Sequence, residues 1–119
     1  MPKQSIAALD QVFHALADPT RRSVVHQLSS GPASVSELAE PFEMALPSFV
    51  QHLNVLEKSG LIKSHKVGRV RTCEVNTSAL STAEEWIATQ RSYWETRLED
   101  LAKYVEKDHK QPPKSRRQK

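Results

Sequence analysis

The sequence predicts a mainly α fold carrying one small β-hairpin, and three observations carry that reading. First, residues 35–62, VSELAEPFEMALPSFVQHLNVLEKSGLI, hold two short apolar patterns of helical spacing joined by a tight connection. Second, the period changes immediately afterwards: over Leu61–Val75 the residues Ile62, Ser64, Lys66, Val70, Thr72 and Glu74 alternate with Lys63, His65, Val67, Arg71, Cys73 and Val75 around Gly68-Arg69, as in two short strands meeting at a glycine-bearing turn. Third, an unusually long helical pattern runs from Thr82 or Ala83 to about Lys107. Two helices in tandem followed by a hairpin describe a winged helix-turn-helix, here with a long C-terminal dimerisation helix.

The elements follow in order. Residues 1–5 are expected to fray, and Ile6–Ala17 reads as a first helix with Ala8, Leu9, Val12, Phe13 and Leu16 on one broad face. It stops at Asp18-Pro19, where Asp18 suits an N-cap and Pro19 a first helical residue, so a second helix is predicted over Pro19–Ser29. Arg21 and Arg22 fall in its first turn, where positive charge opposes the helix dipole; a carboxylate or a phosphate elsewhere would explain them, the carboxylate being favoured. SSGPAS is a turn. Ser34 or Ser36 caps the next helix, and Ser34 stands three residues before Glu37 as in a capping box. Pro41 ends that helix near Phe42. In the following helix Leu46, Phe49, Val50, Leu53 and Leu56 form the apolar stripe, and Gly60 marks the stop. In the long helix Ile87, Trp94, Leu98, Leu101 and Val105 are spaced seven, four, three and four, with Ala83, Trp86, Tyr93 and Tyr104 widening the stripe. Such a stripe packs on its own domain or on another subunit; the earlier helices already supply a core, which favours the subunit interface.

At 119 residues the chain is one domain, with residues 1–107 forming it and 108–119 a disordered basic tail. A hydrophobic share of 38% with 6% aromatic residues is lean, so sharing apolar surface between two chains would help. No apolar run is long enough for a membrane span, and the N-terminus lacks a secretory signal pattern. The lone Cys73 cannot form an intramolecular disulfide, which fits a reducing cytoplasm. The pI of 9.2 invites a nucleic-acid reading, yet its origin is local. The tail holds five cations against Asp108, and without it the net charge falls from +3 to −1. Clustering is the better guide: residues 61–73 carry Lys63, Lys66, Arg69 and Arg71 with no acid.

The second helix of the pair turns outward Pro47, Ser48, Gln51, His52, Asn54 and Glu57, short hydrogen-bonding groups with little charge. That face suits a major groove, where amide, hydroxyl and imidazole groups meet base edges; an amphipathic hairpin facing water is the plainer alternative. Base reading is expected of Pro47, Ser48, Gln51, His52 and Asn54, with Phe49 more suited to core than to thymine contact. Phosphate contact is expected of Lys58, Lys63, Lys66, Arg69 and Arg71. His52 fits two roles equally, steadying the helix or touching DNA. Nothing supports an enzyme: there is no glycine-rich phosphate loop, nucleophile elbow or paired carboxylates in a plausible cleft. Two other regulatory readings stay open, a thiol redox sensor using Cys73 and a winged helix that binds protein instead of DNA.

The pattern resembles the ArsR family of bacterial winged helix-turn-helix regulators. The residues concerned are Phe13-His14-Ala15-Leu16-Ala17-Asp18-Pro19-Thr20-Arg21-Arg22, the helices Val35–Ala39 and Gln51–Leu56, Ser59-Gly60-Leu61-Ile62, Lys66-Val67-Gly68-Arg69 and Tyr93-Trp94-Glu95-Thr96-Arg97-Leu98. The resemblance implies a homodimer joined by its terminal helices, placing Leu9, Phe13, Trp86, Ile87, Trp94, Leu98, Leu101 and Val105 at the interface. It also implies a double-stranded operator of imperfect palindromic sequence and, usually, repression. Many members sense metals, but the carry-over fails here: the helix holding Glu37–Glu40 has no cysteine and Ala83–Lys107 has no histidine. No metal or cofactor is therefore expected, and the sequence does not identify a small-molecule effector. Ala45 stands where the family often has a capping Ser or Thr, and Val50 where many members carry a small polar residue.

Overall fold

The computed structural model describes residues 3–110, with side chains described for 7–107. The first helix, α1, spans Lys3–Leu16, beginning earlier than the sequence pattern suggests. The second, α2, covers Pro19–Gln27 and tightens into a 3-10 turn at Leu28–Ser30. Asp18 is the N-cap of α2, its carboxylate accepting from the Arg21 backbone N–H at 3.0 Å. The two arginines that oppose this helix's own dipole are accounted for by the helix before it. Arg21 Nε donates to the Ala15 carbonyl at 2.8 Å and its Nη2 to the His14 carbonyl at 3.0 Å, while Arg22 donates to the Leu16 carbonyl at 2.8 Å. These carbonyls end α1 without intrahelical partners and form its negative pole, so cations are stabilising there. The expected carboxylate or phosphate is replaced by a helix end.

A two-residue strand, β1 (Ala33–Ser34), leads into a short α3 (Val35–Ala39). Ser34 closes the capping box: its hydroxyl accepts from Glu37 N–H, and the Glu37 carboxylate accepts from Ser34 N–H at 2.8 Å. The helix stops at Ala39, short of Phe42, whose N–H turns back to the Ala39 carbonyl at 3.0 Å. Next comes α4, Leu46–Lys58, which ends in two closing bonds: Leu61 N–H reaches the Leu56 carbonyl at 3.1 Å and Gly60 N–H the Glu57 carbonyl at 3.0 Å. Gly60 takes φ 85° there, the left-handed geometry that such a helix terminus needs. The buried Ser59 hydroxyl adds a third fastening, donating to Leu56 and accepting from Leu61 N–H.

The hairpin pairs β2 (Ile62–Val67) antiparallel to β3 (Val70–Val75), from Ile62 opposite Val75 to Val67 opposite Val70. Its two-residue tip is Gly68-Arg69, with Gly68 at φ 64°. The sheet has a third strand that the sequence does not announce. It is β1, which pairs with β3 through Ala33 opposite Cys73 and gives the order β1-β3-β2.

The last helix, α5, spans Thr77–Lys110. It starts earlier than its apolar stripe and runs three residues into the segment expected as a disordered tail; residues 111–119 lie outside the described region. The chain divides into two compact units, residues 1–84 and 85–119. In the first, Leu9, Val12, Ala15, Val24, Leu28, Leu38, Phe49, Leu53, Leu56, Leu61, Ile62, Cys73 and Ala83 form one core. Each fully buried Leu, Ile or Phe contributes about 1.5–3 kcal/mol. Leu9, expected at an interface between chains, is 7% exposed and belongs to this core, because α1 turns its broad apolar face inward. Phe13 is partly buried against the same core. In the second unit the large apolar residues of α5 are exposed, among them Trp94, Leu98, Leu101 and Val105.

Candidate nucleic-acid interface

Helix α4 is anchored by one side and presents the other. Phe49, Leu53 and Leu56 recur at spacing that returns to one face and are wholly buried, with the Phe42 ring 5.4 Å from that of Phe49. This leaves Pro47, Ser48, Gln51, Asn54 and Lys58 exposed. Ala45 at the N-cap supplies no side-chain bond, so the first turn of α4 keeps backbone N–H groups free of that partner. Leu46, 55% exposed at the same end, adds an apolar contact point that the sequence stripe had assigned inward.

His52 stands apart from the other four base-reading candidates. It is half-buried, with Nδ1 3.2 Å from Arg21 Nη1 and 3.7 Å from the Asp18 carboxylate. Of its two roles, the geometry serves the steadying one, tying α4 to the α1–α2 junction. Burial by itself raises the Asp18 carboxyl; the Arg21 backbone bond, the nearby His52 and Arg21 charges and the Thr20 backbone N–H outweigh it and hold the group below the usual carboxylate value.

The hairpin is similarly divided. Lys63, Lys66 and Arg69 are exposed, in line with a surface for phosphate. Arg71 is not in that row. It is half-buried and paired with the Glu57 carboxylate at the end of α4, and its Nε donates to Ser64 Oγ at 3.1 Å. Ser64 in turn donates to the other Glu57 oxygen at 2.7 Å, closing a three-residue cluster across α4, β2 and β3. The sequence showed Glu57 and Arg71 as surface charges seven residues either side of Ser64. Only the strand register and the helix end bring them together. Val67 and Val70, opposite one another beside the tip, are 69% and 52% exposed. Sequence alternation treated them as ordinary strand residues.

Cys73 lies at the centre of β3, wholly buried, opposite Ser64 on one side and Ala33 on the other. Burial pushes its thiol pKa up, with Glu57 adding to the rise and Arg71 opposing it. A thiol kept protonated and covered is a poor nucleophile. Among the described residues no three His, Cys, Asp or Glu side chains gather as a metal site would require. No described helix is long and apolar enough to cross a membrane.

Known proteins share this arrangement. Residues 16–65 match a family described as a helix-turn-helix domain. The transcriptional repressor SdpR of Bacillus subtilis (strain 168) is 33% identical over 79 residues, spanning 66% of this chain and 88% of that protein. A crystal structure of an ArsR family transcriptional regulator is 55% identical, covers 75% of this chain and 92% of its own, and superposes with a TM-score of 0.72. The same fold, at 23% identity and TM-score 0.55, occurs in a homodimeric winged helix-turn-helix DNA-binding domain from Mycobacterium bovis, with 84% and 93% of the two chains covered. SdpR and the 55% identical protein are both regulators of transcription. On its fold, its exposed helix face and these likenesses together, the chain belongs to the ArsR family of winged helix-turn-helix DNA-binding transcriptional regulators.

Proposed function

We propose that two copies of this chain, joined along α5, bind an imperfectly palindromic operator and repress transcription from it. The observation that carries the reading is the pairing of a neutral, exposed α4 face with an adjacent hairpin whose exposed Lys63, Lys66 and Arg69 are all positive. In this reading Pro47, Ser48, Gln51 and Asn54 face base edges in the major groove. Gln51 suits a bidentate contact to adenine. Lys58, Lys63, Lys66 and Arg69 face phosphates, which set affinity and salt dependence but not sequence. His52 and Arg71 act one step back, holding the reading helix and the hairpin in place. Two-fold symmetry then sets the α4 helices about 34 Å apart, one DNA turn.

The dimer is supported by the exposed Trp94, Leu98, Leu101 and Val105, a stripe wide enough for a helical partner. The DNA-binding and dimerising parts both fall within residues 1–107, and the basic residues beyond serve solubility or phosphate contact. The buried, protonated state of Cys73 argues against a thiol switch.

The division of labour is tested by binding isotherms on operator and random duplexes at two salt concentrations. Gln51→Ala should cost about 1–3 kcal/mol on the operator and little on random DNA. Arg69→Ala should weaken both duplexes alike and lower the salt slope by about 1. Equal losses for both variants on both duplexes would refute the assignment.

A further inference from the structure

Away from the α4 face, the first unit contains a cavity of about 560 Å³ whose lining includes none of the residues proposed to meet DNA. It lies where three elements meet: the end of α2 with its 3-10 turn, the end of β3, and the first turn of α5. Leu28, Val75 and Leu80 line it with apolar surface; Leu28 is a core residue and the other two pack against the core. A volume of this order, with apolar walls and a few polar groups, is typical of small-molecule sites.

The polar groups define what could enter. Glu74 is the single carboxylate of the lining, and no Lys or Arg takes part. Glu74 is half-buried and stands across the strand from Lys63, yet the ion pairs among the described residues are Asp18 with His52 and Glu57 with Arg71. Its carboxylate is thus left for a visitor. His26, on the same rim, can accept or donate one further hydrogen bond. An acidic group at the edge of an apolar hollow selects a compact apolar body ending in a cation.

We propose that this cavity is a binding site for small apolar amines, the ammonium group meeting Glu74 and the hydrocarbon body lying on Leu28, Val75 and Leu80. Phenethylamine is a suitable probe, with 2-phenylethanol and phenylacetate as neutral and anionic counterparts of similar size. Titration of the full chain, followed by amide shifts in a nitrogen–proton correlation spectrum, needs no DNA and stands whether or not the operator reading holds. Phenethylamine should give saturable shifts centred on Leu28, Val75, Thr77 and Leu80. Glu74→Gln should weaken it roughly tenfold, the loss expected of one charge-assisted hydrogen bond. Thr77→Phe, at an exposed position on the rim, should obstruct the site without touching the core. Three results would each overturn the proposal: no saturation at millimolar probe, undiminished binding to Glu74→Gln, or phenylacetate binding as tightly as the amine. Retained binding in a folded Thr77→Phe chain would count against it too.

Discussion

The winged unit and the C-terminal helix carry apolar stripes of the same period and bury them very differently. In α4, Phe49, Leu53 and Leu56 are 0% exposed; in α5, Trp94, Leu98 and Leu101 are 58–60% exposed. The first stripe meets α1, α2, α3 and the sheet within one chain. The second offers two ring faces and several branched side chains to solvent, with Arg97 lying over Tyr93 and Trp94 at 5.8 and 6.0 Å. A helical stripe therefore tells that burial is required without telling whose surface provides it. Residues of equal hydrophobicity serve folding in one region and, in the proposed dimer, association in the other.

Substitutions can break that contrast, and the largest effect belongs to the core. Phe49→Ala should destabilise the protein by about 3–5 kcal/mol in urea unfolding, the usual cost of deleting a buried aromatic ring. Leu98→Glu should leave unfolding of a single chain within about 0.5 kcal/mol of wild type. It should nevertheless give monomers in sedimentation and lower operator affinity roughly a hundredfold, through loss of bivalent attachment. Should Leu98→Glu remain a dimer with full affinity, α5 is not the joining surface.

A smaller effect sharpens the picture of how the winged unit is tied together. Asp18→Ala removes the α2 cap and the carboxylate near His52, costing about 1 kcal/mol at neutral pH. Because the folded-state pKa is lowered, the carboxylate's contribution is complete above its unfolded value of about 4 and disappears as pH falls through the folded one. The gap between wild type and variant should therefore narrow in acid; a gap independent of pH would show that the charge is irrelevant. The smallest effect is expected at Cys73. Thiol reagents should label it orders of magnitude more slowly in the native protein than in denaturant, and mild peroxide should leave DNA affinity unchanged. Fast native labelling would reopen the redox reading.

Much of this was legible in the residues because local rules and tertiary packing agree. The Asp18-Pro19 start, the Ser34–Glu37 capping box, the Gly60 stop and the Gly68-Arg69 tip each have one favourable backbone answer, and the structure adopts it. What stayed hidden depends on long-range geometry. Strand β1 has two residues and no period to detect. The start of α5 at Thr77 lies in a polar run, NTSALST, where Asn76 accepts from Ser78 N–H at 3.3 Å and no apolar stripe signals the helix. Pairing rules could not tell that Arg21 serves carbonyls six and seven residues earlier, nor that Arg71 reaches back to Glu57. For the candidate site, spacing identified which residues lie on the outer face of α4. It could not separate those that remain free from those already engaged.

The Glu57–Ser64–Arg71 cluster has a mechanical consequence. It fastens the end of α4 to both strands of the hairpin, so the two parts that would straddle a sugar-phosphate ridge are held like the jaws of a fixed gauge. A gauge of set opening does not adjust to a duplex whose grooves are wider or narrower than its span. In the proposed operator complex, any misfit would be taken up by bending the DNA, and sequences that bend at low cost would be preferred at positions no side chain touches.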